Sequence, residues 1–146
     1  MTMPEPFKPS PASGVFAISP PQPRVLLAED DDEMRALLTE ELERDGYAVL
    51  AARDGREMAL RLRTVRHCPL RSPNAIVMDV RMPGLSGLEI LSELRAAEWT
   101  TPVILITAFP DPWLAAEARR LDATLVAKPF DVETLLTCIH AARQAA

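Results

Sequence analysis

Ala75-Ile76-Val77-Met78-Asp79 is a run of four apolar residues that ends in a carboxylate. A strand that is apolar at every position is buried on both faces, which is typical of the middle of a parallel sheet. Open parallel α/β sheets bind their ligands beyond the carboxyl ends of the strands, and Asp79 stands at such an end. This run therefore predicts both a parallel sheet and the place of a functional site.

Further short apolar runs on both sides of this stretch alternate with segments of helical period, which is the pattern of a βα repeat. We predict one α/β domain over residues 24–146. The predicted strands are Val25–Ala28, Tyr47–Ala51, Ala75–Met78, Val103–Ile106 and Thr124–Ala127.

The segments between the strands carry helix signals. Ser86 with Glu89 forms a capping-box pattern, and Asp111-Pro112 supplies an N-cap followed by proline. An Arg-rich second helix over about Arg56 to Arg66 is predicted to have a solvated face, and Trp99 and Trp113 to be partly buried beside helix ends. Apolar stripes predict the core faces of the first and last helices, at Met34, Leu37, Leu38, Leu42, Val132, Leu135, Leu136 and Ile139.

Composition and charge exclude several classes of function. The 146 residues can bury one sizeable core. The net charge of −5 provides no basic field for nucleic acid or an anionic membrane. Because no apolar run is long enough to span a membrane and no signal-peptide pattern is present, a cytoplasmic location is expected. Cys68 and Cys138 lack metal-ligand spacing, and residues 1–23, which are rich in proline, are predicted to be a disordered extension.

Polar residues follow four of the predicted strands. They are Glu29 and Asp30 after the first strand, Asp79 after the third, Thr107 after the fourth and Lys128 after the fifth. Like charges ~4 Å apart repel by ~4 kcal/mol per pair at an effective dielectric of 20, so clustered carboxylates must either protonate or bind a cation. An all-oxygen ligand set suits a hard divalent ion, Mg²⁺ or Mn²⁺, and the charge count favours the cation.

A carboxylate held beside a divalent cation and a lysine can attack a phosphoryl donor, because the cations offset charge on the phosphoryl oxygens. Asp79 would then carry an aspartyl phosphate, with Thr107 and Lys128 placed to contact its oxygens. In isolation, Thr107 could equally be a strand-end hydroxyl and Lys128 a solvated charge, and their joint placement favours the site.

Four segments, in this order and spacing, resemble the receiver domains of response regulators over about residues 24–144. The resemblance implies a doubly wound five-stranded parallel sheet of the flavodoxin-like order 2-1-3-4-5, with helices on both faces. It also implies a two-component or phosphorelay protein that catalyses only its own phosphoryl transfer and dephosphorylation. The segments are Val25-Leu-Leu-Ala-Glu29-Asp30-Asp31, Ile76-Val-Met-Asp79-Val-Arg-Met-Pro83-Gly84-Leu-Ser-Gly87, Ile104-Leu-Ile-Thr107-Ala108 and Lys128-Pro129-Phe130.

The resemblance implies a role for each metal-site residue. Asp79 is the implied phosphoacceptor, Asp30 the direct metal ligand and Glu29 the more indirect one. The backbone carbonyl of Arg81 is the remaining protein ligand that the resemblance implies. Arg81 and Phe109 occupy positions where side chains usually tune the lifetime of the phosphoryl group.

The remaining matched positions concern the response to phosphorylation. Thr107 would reorient toward the phosphoryl group, Lys128 would pair with it, and Pro129 would follow a cis peptide bond. Leu125 departs from the common pattern, because it replaces the aromatic residue often used as the output switch. Coupling through a swinging aromatic ring is therefore not expected in this chain.

Other functions fit the residues less well. A haloacid-dehalogenase-type phosphatase would carry a second aspartate where this chain has Arg81. A flavodoxin-like flavin carrier needs a phosphate-binding loop after the first strand, where Glu29-Asp30-Asp31 would repel the phosphate of the cofactor. A degenerate receiver that binds partners without phosphorylation is the alternative function. The expected partners are a histidine kinase or phosphotransfer protein and a downstream protein on about residues 113–142. A phosphorylation-dependent dimer is left open, as is whether the receiver stands alone or is a fragment of a longer regulator.

Overall fold

The computed structural model describes residues 22–146. In this part of the chain, five strands alternate with five α-helices. The strands are β1 (Arg24–Ala28), β2 (Ala48–Ala52), β3 (Ala75–Asp79), β4 (Val103–Thr107) and β5 (Ala123–Ala127). The helices are α1 (Asp32–Arg44), α2 (Gly55–Arg66), α3 (Gly87–Ala96), α4 (Pro112–Arg120) and α5 (Val132–Ala145), and a short 3-10 helix, Pro69–Arg71, lies between α2 and β3.

The strands form one parallel sheet in the order β2-β1-β3-β4-β5, which confirms the predicted fold class. In register, Ala28 of β1 pairs with Met78 of β3, and Asp79 pairs with Ile106 of β4. The sheet reverses its direction of growth between β1 and β3, and such a switch point opens a crevice at the carboxyl ends of the strands.

The apolar core lies in two layers, one on each face of the sheet. All five residues of β3 and all five of β4 are buried, as their continuous apolarity predicts. One layer packs α2, α3 and α4 on the sheet, around residues such as Met58 and Leu91. The other packs α1 and α5, around Leu38, Leu135 and Ile139. Helices therefore cover both faces, as predicted.

Side-chain caps begin the helices where the sequence predicts them. The Ser86 hydroxyl accepts a hydrogen bond from the Glu89 amide at 3.1 Å, and the Asp111 carboxylate accepts one from the Leu114 amide at 2.8 Å. Pro112 is the first residue of α4, where its missing N–H costs no helical hydrogen bond. These local contacts fix where each helix departs from the edge of the sheet that carries the candidate site.

The second strand was predicted one residue too early. Tyr47 is not part of β2, because its amide donates to the Leu42 carbonyl at 3.1 Å and so still completes the end of α1. Gly46, which precedes it, has a φ of +98°, a conformation that closes a helix end and favours glycine. The other four strands are each one residue longer than predicted.

The predicted burial of two residues is wrong. Trp113 is 63% exposed and Leu37 is 45% exposed. In α4 the buried residues are Leu114 and Ala118, and in α1 they are Leu38 and Leu42. Each pair has the i, i+4 spacing of a narrow buried stripe, so the residue directly before the first member faces outward.

Residues 1–21 lie outside the described part of the chain, so the predicted disordered extension stays a prediction. Within residues 22–146, no helix combines the length and apolarity needed to cross a membrane.

Candidate functional site

The carboxyl ends of β1, β3, β4 and β5 meet at one edge of the sheet and bring the predicted site residues together. Glu29 directly follows β1, Asp79 and Thr107 end β3 and β4, and Lys128 directly follows β5. The amide of Lys128 donates to the carbonyl of Thr107 at 2.7 Å, which ties the ends of β4 and β5 to each other.

Three carboxylates form a cluster at this edge. One oxygen each from Glu29, Asp30 and Asp79 lie within 4.8 Å of one another. Glu29 is 1% exposed and Asp79 is 5% exposed, whereas Asp30 is exposed to solvent. Two buried carboxylates beside a third cannot all ionise without a compensating positive charge. An all-oxygen set of this kind fits a hard divalent cation such as Mg²⁺ or Mn²⁺.

Lys128 provides one compensating charge. Its Nζ donates to Oδ2 of Asp79 at 2.5 Å and to Oε2 of Glu29 at 3.2 Å. The Lys128 side chain is 22% exposed, so this ion pair is largely shielded from water. With three carboxylates and one ammonium, the cluster keeps a formal charge of −2 when fully ionised, which is the charge that a divalent cation neutralises.

Backbone amides hold the two buried carboxylates in place. The Arg81 amide donates to Oδ1 of Asp79 at 3.1 Å, and the Asp31 amide donates to Oε1 of Glu29 at 3.2 Å. Both oxygens of Asp79 are therefore engaged by donors. The carboxylate of Asp31 itself caps α1, because it accepts from the Met34 amide at 2.9 Å.

The pKa values of Glu29 and Lys128 reflect how closely the charged groups of this cluster are packed. Burial, followed by repulsion from Asp79, raises the pKa of Glu29 from 4.5 to about 7. Burial alone would lower the pKa of Lys128, but its hydrogen bond to Asp79 and the charges of both carboxylates outweigh burial and raise the pKa above 10.5. The cluster thus favours a proton or a cation near Glu29 and keeps Lys128 charged.

Gly87 makes the close approach of α3 to this edge of the sheet possible. Its amide donates to the carbonyl of Val80 at 3.0 Å. A Cβ at Gly87 would lie 2.5 Å from the backbone oxygen of Asp79, which is too close for any side chain. Glycine at this position therefore lets α3 begin directly against the strand that carries Asp79.

Thr107, Arg81 and Phe109 lie at the carboxyl-terminal ends of β3 and β4 and in the loops that follow these strands. The Thr107 side chain is buried, and its Oγ1 accepts from the Phe109 amide at 3.0 Å. The Arg81 guanidinium stacks over the Phe109 ring, with its carbon 4.4 Å from the ring centroid. This cation–π contact links the loop after β3 to the loop after β4.

Leu125 and Pro129 are two further positions that the sequence singled out. Leu125, in β5, is partly buried and packs against the core layer of α2, α3 and α4. The peptide bond between Lys128 and Pro129 is cis, as the resemblance implied.

Sequence reasoning missed Arg35. Its Nη1 donates to the backbone carbonyl of Glu29 at 3.0 Å, and its Nη2 binds the Asp32 carboxylate at 2.6 Å. Arg35 thereby braces the loop that carries the acidic pair. No spacing rule links a residue to the carbonyl six positions earlier, so only the fold reveals this contact.

A family model described as the response regulator receiver domain matches residues 25–140, most of the chain. The chain belongs to this family. As a receiver domain of two-component response regulators, it is a signalling module rather than a classical enzyme.

The relatives of this receiver domain differ in how much of their length it covers. It is 37% identical to regulatory protein AtoC of Escherichia coli over 83% of this chain and 25% of that protein. It is 30% identical to sporulation initiation phosphotransferase F of Bacillus subtilis over 77% of this chain and 86% of that protein. The chain spans between 25% and 56% of the length of its first four curated relatives. Among solved structures, the receiver domain of the Francisella response regulator 1452 matches with a TM-score of 0.74 and 27% identity, over 84% of this chain and 98% of that one.

Proposed function

We propose that this receiver domain accepts a phosphoryl group on Asp79 with the help of a divalent cation, and that the modification switches a protein-binding surface. The observation that carries this proposal is the position of the Asp79 carboxylate. It is 5% exposed, bound by Lys128 on one oxygen and by a backbone amide on the other, and it lies within 4.8 Å of two further carboxylates. Such a carboxylate is held in one orientation beside two carboxylates that suit a divalent cation.

We infer that Glu29, Asp30, Asp79 and the backbone carbonyl of Arg81 would hold Mg²⁺, or Mn²⁺ in its place. When bound, the ion supplies positive charge for the oxygens of an incoming phosphoryl group. Asp30 suits direct ligation because it is solvent-exposed, whereas Glu29 is buried and already bound by Lys128. That difference supports a more indirect role for Glu29.

The transfer itself follows from these contacts. An oxygen of the Asp79 carboxylate attacks phosphorus, a new P–O bond forms, and the bond from phosphorus to the donor's leaving group breaks with its electron pair on the leaving group. Lys128 loses one carboxylate oxygen as its acceptor and gains a phosphoryl oxygen in its place. The charge-assisted contact is thus retained in the phosphorylated state.

Thr107 would report the modification to the loop after β4. Its hydroxyl now accepts from the Phe109 amide, and turning toward a phosphoryl oxygen would break that bond and release the loop. The Arg81 guanidinium stacks on the Phe109 ring, so movement of this loop would also move Arg81 and alter the access of water to Asp79. Through this contact, Arg81 and Phe109 would set the lifetime of the phosphoryl group. Because Leu125 is partly buried and not aromatic, we propose that the readout travels through the loop.

The partners of this switch would be proteins. A histidine kinase or phosphotransfer protein would supply the phosphoryl group, and a downstream protein would bind about residues 113–142. Trp113 supports this surface because it is a large aromatic side chain that is 63% exposed on α4.

The first experiment is intact-mass measurement after incubation with Mg²⁺ and acetyl phosphate as a small phosphoryl donor. We expect one phosphoryl adduct that disappears in Asp79→Asn and when the metal is chelated. Asp122→Asn is the matched control, because it removes an exposed aspartate at the far side of the sheet and keeps a residue that tolerates the positive φ at this position. A folded protein that never gains the adduct would refute the proposal and favour the degenerate receiver, for which a partner search is the next step.

A further inference from the structure

A cavity lies at the opposite end of the sheet from Asp79. It has a volume of about 460 Å³ and lies between β1, β2, the second half of α2 and the loop before β3. Arg24 and Ala48, the first residues of β1 and β2, line it. A cavity of this size is in the range that small-molecule sites occupy.

The walls are largely apolar, and the polar residues that line them are three arginines and Thr64. Leu26, Leu50 and Val65 supply apolar surface, and Arg24, Arg61 and Arg71 supply three guanidinium groups. Among the described residues, no carboxylate lines the cavity. This lining contrasts with the chain's net charge of −5, and Glu57, which pairs with Arg61, does not line the cavity.

The arginines keep donors to spare. Nη2 of Arg61 donates to Glu57 at 3.1 Å, but its Nε is the one buried side-chain donor in residues 22–146 that lacks an acceptor. Nη1 of Arg24 makes only a long contact, 3.4 Å, with the carbonyl of Ser72. Because Nε of Arg61 is fully buried, a ligand in the cavity would bind Arg61 through its terminal Nη atoms.

We propose that this cavity binds a small organic anion, with a carboxylate held by Arg61 and Arg71 and an apolar body packed against Leu26, Leu50 and Val65. Guanidinium groups match the two oxygens of a carboxylate with paired hydrogen bonds. The apolar walls would favour a ligand with a hydrocarbon body over a simple inorganic anion. Because the site is at the amino-terminal ends of the strands, the anion would not contact the Asp79 cluster.

The test is a titration of the ¹⁵N-labelled full chain with octanoate, followed by the amide signals of Leu26, Leu50 and Val65. Acetate provides the same head group without the apolar body, and octanamide provides the body without the charge. We expect saturable shifts at these amides with octanoate, and binding at least about tenfold weaker with either comparator. Equal binding by acetate would mean an adventitious ion only, and equal binding by octanamide would mean unspecific apolar contact. Either result overturns the proposal.

Variants give a second readout. Arg71 is exposed at the end of the 3-10 helix, so Arg71→Gln leaves the fold in place and removes one cation from the cavity. We expect it to weaken octanoate binding about tenfold, the loss typical of one charge-assisted hydrogen bond. Arg66→Gln is the matched control, because Arg66 is exposed near the end of α2 and does not line the cavity. Equal octanoate affinity in the unsubstituted protein, Arg71→Gln and Arg66→Gln would overturn the proposal. Shifts of the same amide signals with a Leu-containing acidic peptide, but not with octanoate, would also overturn it and would indicate a protein partner.

Discussion

Replacing Glu29 with glutamine isolates the electrostatic strain of the carboxylate cluster. Glu29 is 1% exposed, and burial beside Asp79 raises its pKa from 4.5 to about 7. A carboxyl whose folded-state pKa is raised contributes stability that is fully present below the unfolded pKa and is lost as pH rises through the folded pKa. In metal-free protein, ionising Glu29 therefore costs on the order of 3 kcal/mol, of which about 2 kcal/mol falls between pH 5 and pH 8.

The assay is urea unfolding in the presence of EDTA at several pH values from 5 to 8. We expect the free energy of unfolding of Glu29→Gln, relative to the unsubstituted protein, to rise by about 2 kcal/mol over this range. The control Glu93→Gln removes an exposed carboxylate from α3 and reports the effect of the substitution itself. A difference between Glu29→Gln and the unsubstituted protein that stays constant with pH would show that Glu29 does not titrate with a raised pKa.

Metal provides an independent arm of the same test. If Mg²⁺ replaces the proton as the neutralising charge, its addition at pH 8 stabilises the unsubstituted protein, and the gain shrinks as pH falls toward 5 and protons compete for the cluster. Asp30→Asn should lose most of this gain without changing the metal-free stability much, because Asp30 is exposed. An equal Mg²⁺ effect in Asp30→Asn would exclude that residue as a ligand.

Three further changes test separate contacts. Lys128→Met leaves two buried carboxylates without their cation, so we expect the metal-free protein to lose about 3 kcal/mol of unfolding free energy at pH 8 in urea titrations, and less at pH 5. Phe109→Ala removes the platform for the Arg81 guanidinium, so the phosphorylated form, followed by intact mass, should decay faster while the midpoint of thermal unfolding stays unchanged. Asp111→Ala should lower the free energy of unfolding in urea by about 1 kcal/mol, because Asp111 caps α4. Asp131→Ala should lower it clearly less, since Asp131 makes no side-chain cap bond to α5. Equal losses in the two variants would contradict the cap assignment.

The elements that sequence predicted well are those governed by local pattern. The continuous apolarity of β3 and β4 predicted burial on both faces, and every residue of both strands is buried. Capping patterns predicted the starts of α3 and α4, because a cap contact involves residues only three positions apart. Parallel strands place their carboxyl ends at one edge, so the clustering of Glu29, Asp30 and Asp79 also followed from topology.

Predictions failed at residues whose burial or hydrogen bonding does not depend on their neighbours along the chain. Leu37 and Trp113 are apolar residues beside a buried stripe, and only the rotation of each helix on the sheet leaves them exposed. Tyr47 has the character of a strand residue, yet its amide completes the end of α1. Periodicity over a short segment cannot separate these outcomes, because the difference is one residue of phase or boundary.

Local period and the order of the strands were enough to predict the parallel sheet, the edge that carries the candidate site and the residue types that meet there. The contacts that cross between elements could not be predicted in this way. The brace from Arg35 to Glu29, the stacking of Arg81 on Phe109 and the cationic cavity at Arg61 each join residues whose distance depends on how helices and loops pack. Such packing is set by the sum of many weak contacts, which no single stretch of sequence contains.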